Sequence, residues 1–317
     1  MSLSNRFGLR QRGRFFLSHL LQHRGRLSLS HLQHREQFSL SHFSSSLRAN
    51  RKVLSPTLNS KEYIIALAGN PNTGKSTLFN ALTGLRQHTG NWPGKTVAQY
   101  RGSCNLNGKK VTLVDLPGIY SLLANTIEGE IARDFICFAQ PDATVIVVDS
   151  TCLERNLNLA LQILEITPKA ILCANLIDEA KRKNMHIDTG ELEEKLGIPV
   201  IPTAARSGKG LKKLKAAIDD LICGRITTRP CRLRYSAEIE KAISEMEIEL
   251  APIIKNGLSP RWVALQLLIG DSAFINRITN YLAGEQDGEC PNEQISNVSR
   301  KTVCWNKNAG IGGKAVK

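Results

Sequence analysis

The stretch Gly69-Asn70-Pro71-Asn72-Thr73-Gly74-Lys75-Ser76 directly follows an apolar run, Tyr63 to Ala68, and opens a helical pattern that continues through Thr77. It matches G-x-x-x-x-G-K-[S/T] in the strand–loop–helix context that this pattern requires, in which backbone amides of a glycine-rich loop surround a phosphate. The lysine of the pattern neutralises β- and γ-phosphate oxygens, and the hydroxyl after it ligates Mg²⁺. The sequence therefore predicts a nucleotide phosphate site at residues 69–77, with Lys75 in a catalytic role and Ser76 as a Mg²⁺ ligand.

Strand-like apolar runs and amphipathic helical stretches alternate around this loop. The candidate strands are Tyr63 to Ala68, Val97 to Cys104, Val111 to Asp115, Thr144 to Asp149, Ala170 to Ala174 and Val200 to Pro202. The candidate helices are Lys75 to Thr83, Thr126 to Phe138, Leu157 to Leu164, Gly190 to Leu196 and Leu211 to Leu221. This alternation predicts an α/β fold with a mostly parallel sheet between two layers of helices.

Beyond Cys223 the pattern changes to helix only. Ser259-Pro260 has the residue types that begin a helix. Four earlier apolar residues have the spacing of one helix face: Ile239, Ile243, Met246 and Leu250. We therefore expect a small all-helical C-terminal domain at residues 233–283 and a polar tail at residues 284–317.

A second phosphate-related motif, Asp115-Leu116-Pro117-Gly118, ends the strand that begins at Val111. A carboxylate at this place can hold Mg²⁺ through a water, and the amide of Gly118 can meet the γ-phosphate. The pattern Asp-x-x-Gly is common by itself, but behind a phosphate loop it is informative. We expect all four residues to contact nucleotide, Asp115 to be a Mg²⁺ ligand and Gly118 to take part in catalysis.

The segment Asn175-Leu176-Ile177-Asp178 closes the strand Ala170 to Ala174 and predicts the base specificity. The carboxylate of Asp178 can accept hydrogen bonds from N1–H and the exocyclic amine of guanine, whereas adenine offers neither donor there. Asn175 would brace the pocket, and Asp178 can also cap a helix. Four residues after the last strand are expected to contact the guanine ring, mostly through backbone amides: Thr203, Ala204, Ala205 and Arg206.

The turn-forming segment Gly90-Asn91-Trp92-Pro93-Gly94-Lys95-Thr96-Val97 is a candidate mobile loop between these motifs. Thr96 is the natural second hydroxyl ligand for Mg²⁺ when a triphosphate is bound, and we assign it a catalytic role. Gly94 and Lys95 are expected to contact the nucleotide with it. Trp92 can equally be a packing anchor.

With these motifs in order, the chain resembles a small Ras-like GTPase of the translation-factor-related class. The particular residues within and around these motifs resemble those of the cytosolic G domain of the ferrous iron transport protein B (FeoB) family, over about residues 62–283. The segments that carry it are Asn70-Pro71-Asn72, Gly90 to Gly94, Asp115 to Leu122, Leu153 to Leu157 and Ser259 to Trp262. The resemblance implies a P-loop NTPase fold, a G domain at residues 61–226, and a helical domain that regulates GDP release.

The same resemblance implies slow, Mg²⁺-dependent hydrolysis of GTP to GDP. It also implies that Asn72 coordinates a K⁺ ion near the phosphates and that K⁺ stimulates turnover. Ile119 follows Gly118, where Ras-like enzymes place a catalytic glutamine, so no side chain there can orient water. Two departures from the family pattern are Ala98-Gln99 after Thr96-Val97, where a glutamate is usual, and Ala204, where a serine is common.

Members of this family continue into a membrane domain that conducts Fe²⁺. This sequence contains no run near the ~18 apolar residues of a membrane-spanning helix. We therefore expect a cytoplasmic regulatory G module of a ferrous iron uptake system. It is either a truncated transporter or a module held at the inner face of the plasma membrane by a separately encoded membrane iron-transport subunit. The sequence leaves the oligomeric state open. Eight cysteines without a Cys-x-x-Cys pair favour reduced thiols.

The net charge of +14 is concentrated in residues 1–60, which hold ten lysines and arginines against the single acid Glu36. This head is low in complexity and rich in serine and histidine, which is typical of a disordered extension or of upstream DNA translated from a misassigned start. An organellar transit peptide and a metal-binding histidine tract are the alternatives. A ribosome- or RNA-associated GTPase that uses the basic head is the alternative function. The head lacks interleaved aromatic residues, which disfavours RNA, and no DNA partner is expected. A non-enzymatic remnant is a third hypothesis, against which the intact motif residues argue.

Overall fold

The structure, a computed structural model, describes residues 62–283 except 85–86, 94, 124–125 and 255–256. The described residues form two compact units, one of residues 62–231 with 257–259 and the other of residues 232–254 with 260–283. The predicted head and tail and the candidate contact Gly94 lie outside the described residues. The domain boundaries at 61–226 and 233–283 stay predictions.

The larger unit is built on a mixed sheet of seven strands in the described residues. These are β1 (Tyr63–Gly69), β2 (Gln87–Asn91), β3 (Ala98–Leu106), β4 (Lys109–Asp115), β5 (Ala143–Asp149), β6 (Ala170–Asn175) and β7 (Val200–Pro202). Their order is β2-β3-β4-β1-β5-β6-β7. Strands β4, β1, β5, β6 and β7 are parallel, as predicted, whereas β2 and β3 form an antiparallel hairpin on β4.

The helices of this unit are α1 (Lys75–Thr83), α2 (Ile127–Asp134), α3 (Leu153–Ile166), α4 (Ile177–Arg182), α5 (Thr189–Leu196) and α6 (Leu211–Ile222). A π-helical turn, Phe135–Ala139, continues α2, and a 3₁₀ turn, Ala205–Ser207, follows β7. No helix in the described ranges combines the length and the apolar character needed to span a bilayer.

The main core lies between the sheet and helices α1 and α6. Ile65 and Leu67 of β1 contribute to it together with Leu78 of α1 and Leu214 of α6. The alternate β1 residues Ala66 and Ala68 are equally buried on the other face, and α3 packs against β1 and β5. Both faces of the parallel strands are therefore covered, which confirms the predicted three-layer P-loop NTPase fold.

The smaller unit is helical, with α7 (Ala237–Leu250), α8 (Pro260–Ile269) and α9 (Ser272–Ala283). Ile243 and Leu250 of the predicted α7 face are fully buried, and Trp262 meets Phe274 edge to face at 6.4 Å. Arg261 donates to both carboxylate oxygens of Glu240, at 2.9 and 3.0 Å, and the pKa of Glu240 is lowered mainly by this contact. The predicted all-helical character of this region is confirmed.

Three local predictions differ from the structure. Gly90 and Asn91, expected in a mobile loop, lie in β2, where their backbones pair with Gln99 and Ala98 of β3. The helix expected to continue to Phe138 becomes π-helical from Phe135. Helix α4 and the first turn of α3 were not predicted, because they contain too few apolar residues to show a helical periodicity.

A glycine at the end of α5 yields a stability prediction. Gly197 has φ = 67°, and a Cβ there would overlap the carbonyl oxygen of Arg229, whose amide donates to Gly197 O at 3.0 Å. Gly197→Ala should therefore lower the free energy of unfolding by about 2–4 kcal/mol, from left-handed strain plus the clash. Gly224→Ala is the control, since Gly224 has φ = 71° with open space around it. If urea unfolding shows the same loss of unfolding free energy in both variants, the clash with Arg229 does not contribute to the effect.

Candidate nucleotide site

The loop after β1 is shaped by close backbone approaches. A Cβ at Gly69 would lie 2.5 Å from the carbonyl oxygen of Val147, so only glycine lets the loop leave the sheet here. Thr73 Oγ1 donates to the carbonyl oxygen of Asn70 at 3.0 Å and closes the loop. Asn72 is exposed at its tip with φ = 66°, a left-handed conformation that asparagine tolerates. The predicted phosphate loop thus lies between a strand and a helix, as expected.

Lys75 and Asp115 meet in a buried ion pair. Lys75 is the first residue of α1 and Asp115 the last of β4, and Lys75 Nζ donates to Asp115 Oδ1. Both residues are less than a tenth exposed. Burial raises the pKa of Asp115, and the charge of Lys75 opposes that shift. The two charges predicted to serve phosphate and Mg²⁺ are therefore brought together, and each neutralises the other.

The segment after Asp115 is fixed to β1 through its backbone. Leu116 N donates to Leu67 O at 2.9 Å, and Ile119 N donates to Gly69 O at 3.3 Å. Gly118 is exposed beside Pro71, whose Cα would lie 3.3 Å from a Cβ at Gly118. Ile119 is buried, so its side chain points into the protein. The structure thus places Gly118 beside Pro71 of the phosphate loop, and its contact with the γ-phosphate stays a prediction.

Asn175 joins three segments of the site. Its Nδ2 donates to Thr73 O at 2.9 Å, and its Oδ1 accepts from Thr203 Oγ1 at 3.1 Å and from Ala205 N at 3.0 Å. A Cβ at Gly74, where φ = 78°, would lie 2.5 Å from Asn175 Nδ2. The buried amide of Asn175 therefore fixes the phosphate loop to the segment after β7. Asn175 was predicted to brace the pocket and Thr203 to contact guanine through its backbone, but the hydrogen bond between their side chains was not predicted.

The expected base-binding residues lie at the carboxyl ends of β6 and β7. Asp178 is exposed in the first turn of α4, which follows Leu176 at φ = 59°. Ala204 and Ala205 are buried, and Arg206 is exposed. Ile177 N donates to Thr203 O at 3.1 Å, so the two segments are directly joined. In open α/β sheets, ligands bind outside the carboxyl ends of the strands, and this is where these residues lie.

Thr96 lies in the turn between β2 and β3, with its side chain exposed. Trp92 is 3% exposed and packs edge to face on Phe135, with ring centroids 5.5 Å apart. The structure therefore gives Trp92 the packing role. Lys95, a predicted nucleotide contact, has its Nζ 3.5 Å from Glu130 Oε2 on α2. This contact of Glu130 was not predicted, since no motif includes Glu130.

Two family models match the chain. The model of ferrous iron transport protein B matches residues 63–218, and that of the FeoB cytosolic helical domain matches residues 235–302. The chain belongs to the FeoB family. The Fe(2+) transporter FeoB of Salmonella typhimurium is 44% identical over 220 residues, and that of Escherichia coli K12 is 38% identical over 226 residues. Each match covers 67% of this chain and 27% of the relative, so the chain spans about a quarter of those transporters.

Solved FeoB structures share the fold. The cytosolic domain of Thermotoga maritima FeoB in apo form has 37% identity and a TM-score of 0.64, over 78% of this chain and 97% of that one. Its GDP form I has 36% identity and a TM-score of 0.64, over 81% and 99%. Its GMPPNP form has 38% identity and a TM-score of 0.64, over 78% and 98%. The fold and FeoB membership inferred from the motifs are therefore confirmed.

Proposed function

We propose that this chain binds GTP and hydrolyses it to GDP as the regulatory G module of a ferrous iron uptake system. The observation that carries the proposal is the network around Asn175, which joins the phosphate loop at Thr73 to the segment after β7 at Ala205. A nucleotide held along this edge contacts the phosphate loop at one end and Asp178 at the other. The relatives solved with GDP and GMPPNP support this choice of ligand.

The loop residues 69–77 hold the phosphates in this proposal. Their backbone amides and the amino end of α1 stabilise negative charge, and Lys75 leaves Asp115 to contact the β- and γ-phosphate oxygens. Contacts from Gly94, Lys95 and Thr96 and from residues 115–118 complete the phosphate end. Asn175, Leu176, Ile177, Asp178, Ala204, Ala205 and Arg206 form the guanine end.

The donor set suits Mg²⁺ and K⁺. The described residues hold no group of three or more His, Cys, Asp or Glu side chains that could form a cage for a metal ion. Mg²⁺ is ordinarily held by few protein oxygens together with phosphates and water. The hydroxyls of Ser76 and Thr96 and the carboxylate of Asp115 would hold Mg²⁺, which when bound neutralises phosphate charge. The neutral amide oxygen of Asn72, exposed at the loop tip, would hold K⁺.

Hydrolysis in this site depends on positioning rather than on a side-chain base. Ile119 is buried and apolar, so it cannot orient a water molecule. The exposed backbone of Gly118 is available to contact the γ-phosphate, and Lys75 stabilises the charge that develops on it. Because Ile119 stands where a glutamine would orient the water, we expect slow intrinsic turnover.

Potassium dependence is the test of this proposal. GTP hydrolysis by the full chain with Mg²⁺ should be about tenfold faster in KCl than in NaCl, since one more cation near the phosphates is worth ~1.4 kcal/mol in the transition state. ATP should be hydrolysed far more slowly. Asn72→Gly, which keeps the left-handed backbone, should remove the difference between the salts.

The control is Asn184→Gly, because Asn184 is another exposed asparagine in a left-handed conformation, with φ = 55°. It should retain the preference for potassium. Equal rates in the two salts, or an Asn72→Gly enzyme that still distinguishes them, would refute the potassium site. Absence of GTP hydrolysis in both salts would refute the GTPase itself.

The role in iron uptake rests on the family relationship. The relatives that match this chain are Fe(2+) transporters, and the chain spans about a quarter of their length. We propose that it acts on the cytoplasmic side together with a membrane domain that conducts Fe²⁺. The head required for the RNA hypothesis lies outside the described residues, and no observation supports that alternative.

A further inference from the structure

The segment that follows Gly118 is fixed at two points. Ile119 and Leu122 are both buried, with exposed fractions of 5% and 0%. Ile119 N also donates to Gly69 O at 3.3 Å. Only two residues separate these two points, and Gly118 directly precedes the first of them. The position of Gly118, and with it the direction of its backbone amide, therefore depends on where residues 119–122 are held.

One side chain of α3 binds the far end of this segment. Gln162 Oε1 accepts from Leu122 N at 2.8 Å and from Ser121 Oγ at 3.1 Å. A backbone N–H can only donate, so the oxygen of the Gln162 amide, and not its nitrogen, faces Leu122. Ser121 Oγ in turn accepts from Leu123 N at 3.1 Å. A single oxygen of Gln162 therefore holds two consecutive residues of the segment.

A second residue of α3 contacts the same segment. The guanidinium carbon of Arg155 lies 4.3 Å from the centroid of the Tyr120 ring. Arg155 and Gln162 are seven residues apart, which is two turns, so they lie on one face of α3. A cation–π contact at an exposed site is weak, and Tyr120 is 49% exposed. This contact therefore adds to the hydrogen bonds of Gln162 and does not replace them.

Helix α3 is itself held firmly in the fold. Its residues Leu159, Ala160 and Ile163 are fully buried, and the helix packs against β1 and β5. Near its amino end, Asn156 Nδ2 donates to Cys152 O at 2.8 Å. A group held by a well-packed helix is placed more precisely than a group held by a loop alone. The contacts with α3 therefore connect the segment after Gly118 to the sheet from which the phosphate loop extends.

We propose that Gln162 is a positioning residue for GTP hydrolysis, whose amide oxygen holds residues 121–122 on α3 so that the Gly118 amide meets the γ-phosphate. This inference rests on the proposed function and adds to it a residue outside the nucleotide motifs. A donor that is fixed in advance stabilises the charge that develops in the transition state. GDP has no γ-phosphate, so loss of the Gln162 oxygen affects the triphosphate and leaves GDP binding unchanged.

The experiment compares Gln162→Met with Gln162→Glu in the full chain. Methionine is a good helix former of similar length but lacks a strong acceptor, whereas a carboxylate keeps an oxygen that accepts both hydrogen bonds. Two quantities are measured with Mg²⁺. The first is the ratio of the dissociation constants of labelled GMPPNP and labelled GDP, in which a general effect of charge cancels. The second is the rate of GTP hydrolysis in a single turnover.

Gln162→Met should hydrolyse GTP about 5- to 30-fold more slowly than the unaltered chain, because the Gly118 amide is no longer held in place. Its binding of GMPPNP relative to GDP should weaken about three- to tenfold. Gln162→Glu should keep both the rate and the ratio. Ser121→Ala removes one of the two hydrogen bonds, so it should change both quantities in the same direction by about two- to threefold.

Three results would overturn the inference. Unchanged rate and ratio in Gln162→Met, or in Ser121→Ala if Gln162→Met does not fold, would show that the contact does not position Gly118. Equal weakening of GDP and GMPPNP would show a general structural effect. A Gln162→Glu enzyme as impaired as Gln162→Met would show that the accepting oxygen is not needed. Failure of the unaltered chain to bind GDP would instead refute the proposed function, and the inference with it.

Discussion

Asp178→Asn should lower the affinity for GTP about 100- to 1000-fold and raise the affinity for xanthosine triphosphate. The carboxylate accepts two hydrogen bonds from guanine in the proposed complex, and an amide presents a donor where guanine also has one. A site built around specific hydrogen bonds loses several kcal/mol when one partner is mismatched. Xanthine has a carbonyl in place of the exocyclic amine, so it pairs with the asparagine amide. The variant should therefore change its base preference without losing its fold.

Competition binding with GTP, xanthosine triphosphate and ATP measures this change. Glu179→Gln is the control, because Glu179 is the next residue of α4 and pairs with the exposed Arg182. It should retain the preference for GTP. If Asp178 only stabilises the first turn of α4, then Asp178→Asn would lower the melting temperature and leave the order of the three nucleotides unchanged. That outcome would contradict the guanine assignment.

The sequence predicts this fold well because its motifs and its periodicity agree. The parallel strands are mostly apolar, and the candidate motifs begin at the last residues of β1, β4 and β6. Strand β2 was not predictable. Its sequence Gln87 to Asn91 contains a glycine and a single β-branched residue, Thr89, and residues 88–91 are exposed. This strand exists because its backbone pairs with β3, not because an apolar face needs burial.

The motifs name the residues of the candidate site, which stay predictions, but they do not encode the contacts among those residues. The motifs predict that Lys75 contacts phosphate and that Asp115 contacts Mg²⁺. They predict contacts with ligands and not a contact between the two side chains. Their direct ion pair follows from the register of β1 and β4, which places Leu67 beside Asp115, and no local pattern encodes that register. The same holds for Asn175, whose amide reaches Thr73 across a separation of 102 residues.

Lys75→Ala should reduce GTP affinity by more than about 1000-fold, because the charge that meets the β- and γ-phosphates is removed. Its second effect is on stability. Asp115 would be left as a buried carboxylate without its lysine, which costs about 3–5 kcal/mol for a buried pair. A loss of binding in this variant alone could therefore reflect unfolding. The test needs variants that separate the charge from the fold.

Lys109→Ala provides the first control. Lys109 Nζ lies 2.7 Å from Asp219 Oδ1, and the Asp219 side chain is 3% exposed, so this pair also has a buried carboxylate. Asp219 keeps hydrogen bonds from Asn107 and Arg225, so the loss of stability should be smaller than in Lys75→Ala. Nucleotide affinity should stay unchanged. Thermal unfolding and labelled-GDP titration of both variants give the comparison.

The double variant Lys75→Ala with Asp115→Asn separates the two effects of losing Lys75. Replacing the orphaned carboxylate by a neutral amide should recover most of the lost stability, because a buried unpaired charge is no longer present. Binding of GTP should not recover, since the phosphate-neutralising lysine is still missing and the carboxylate proposed for Mg²⁺ is now an amide. A stable double variant that binds GTP normally would show that Lys75 serves only to neutralise Asp115, and the phosphate role would have to be abandoned.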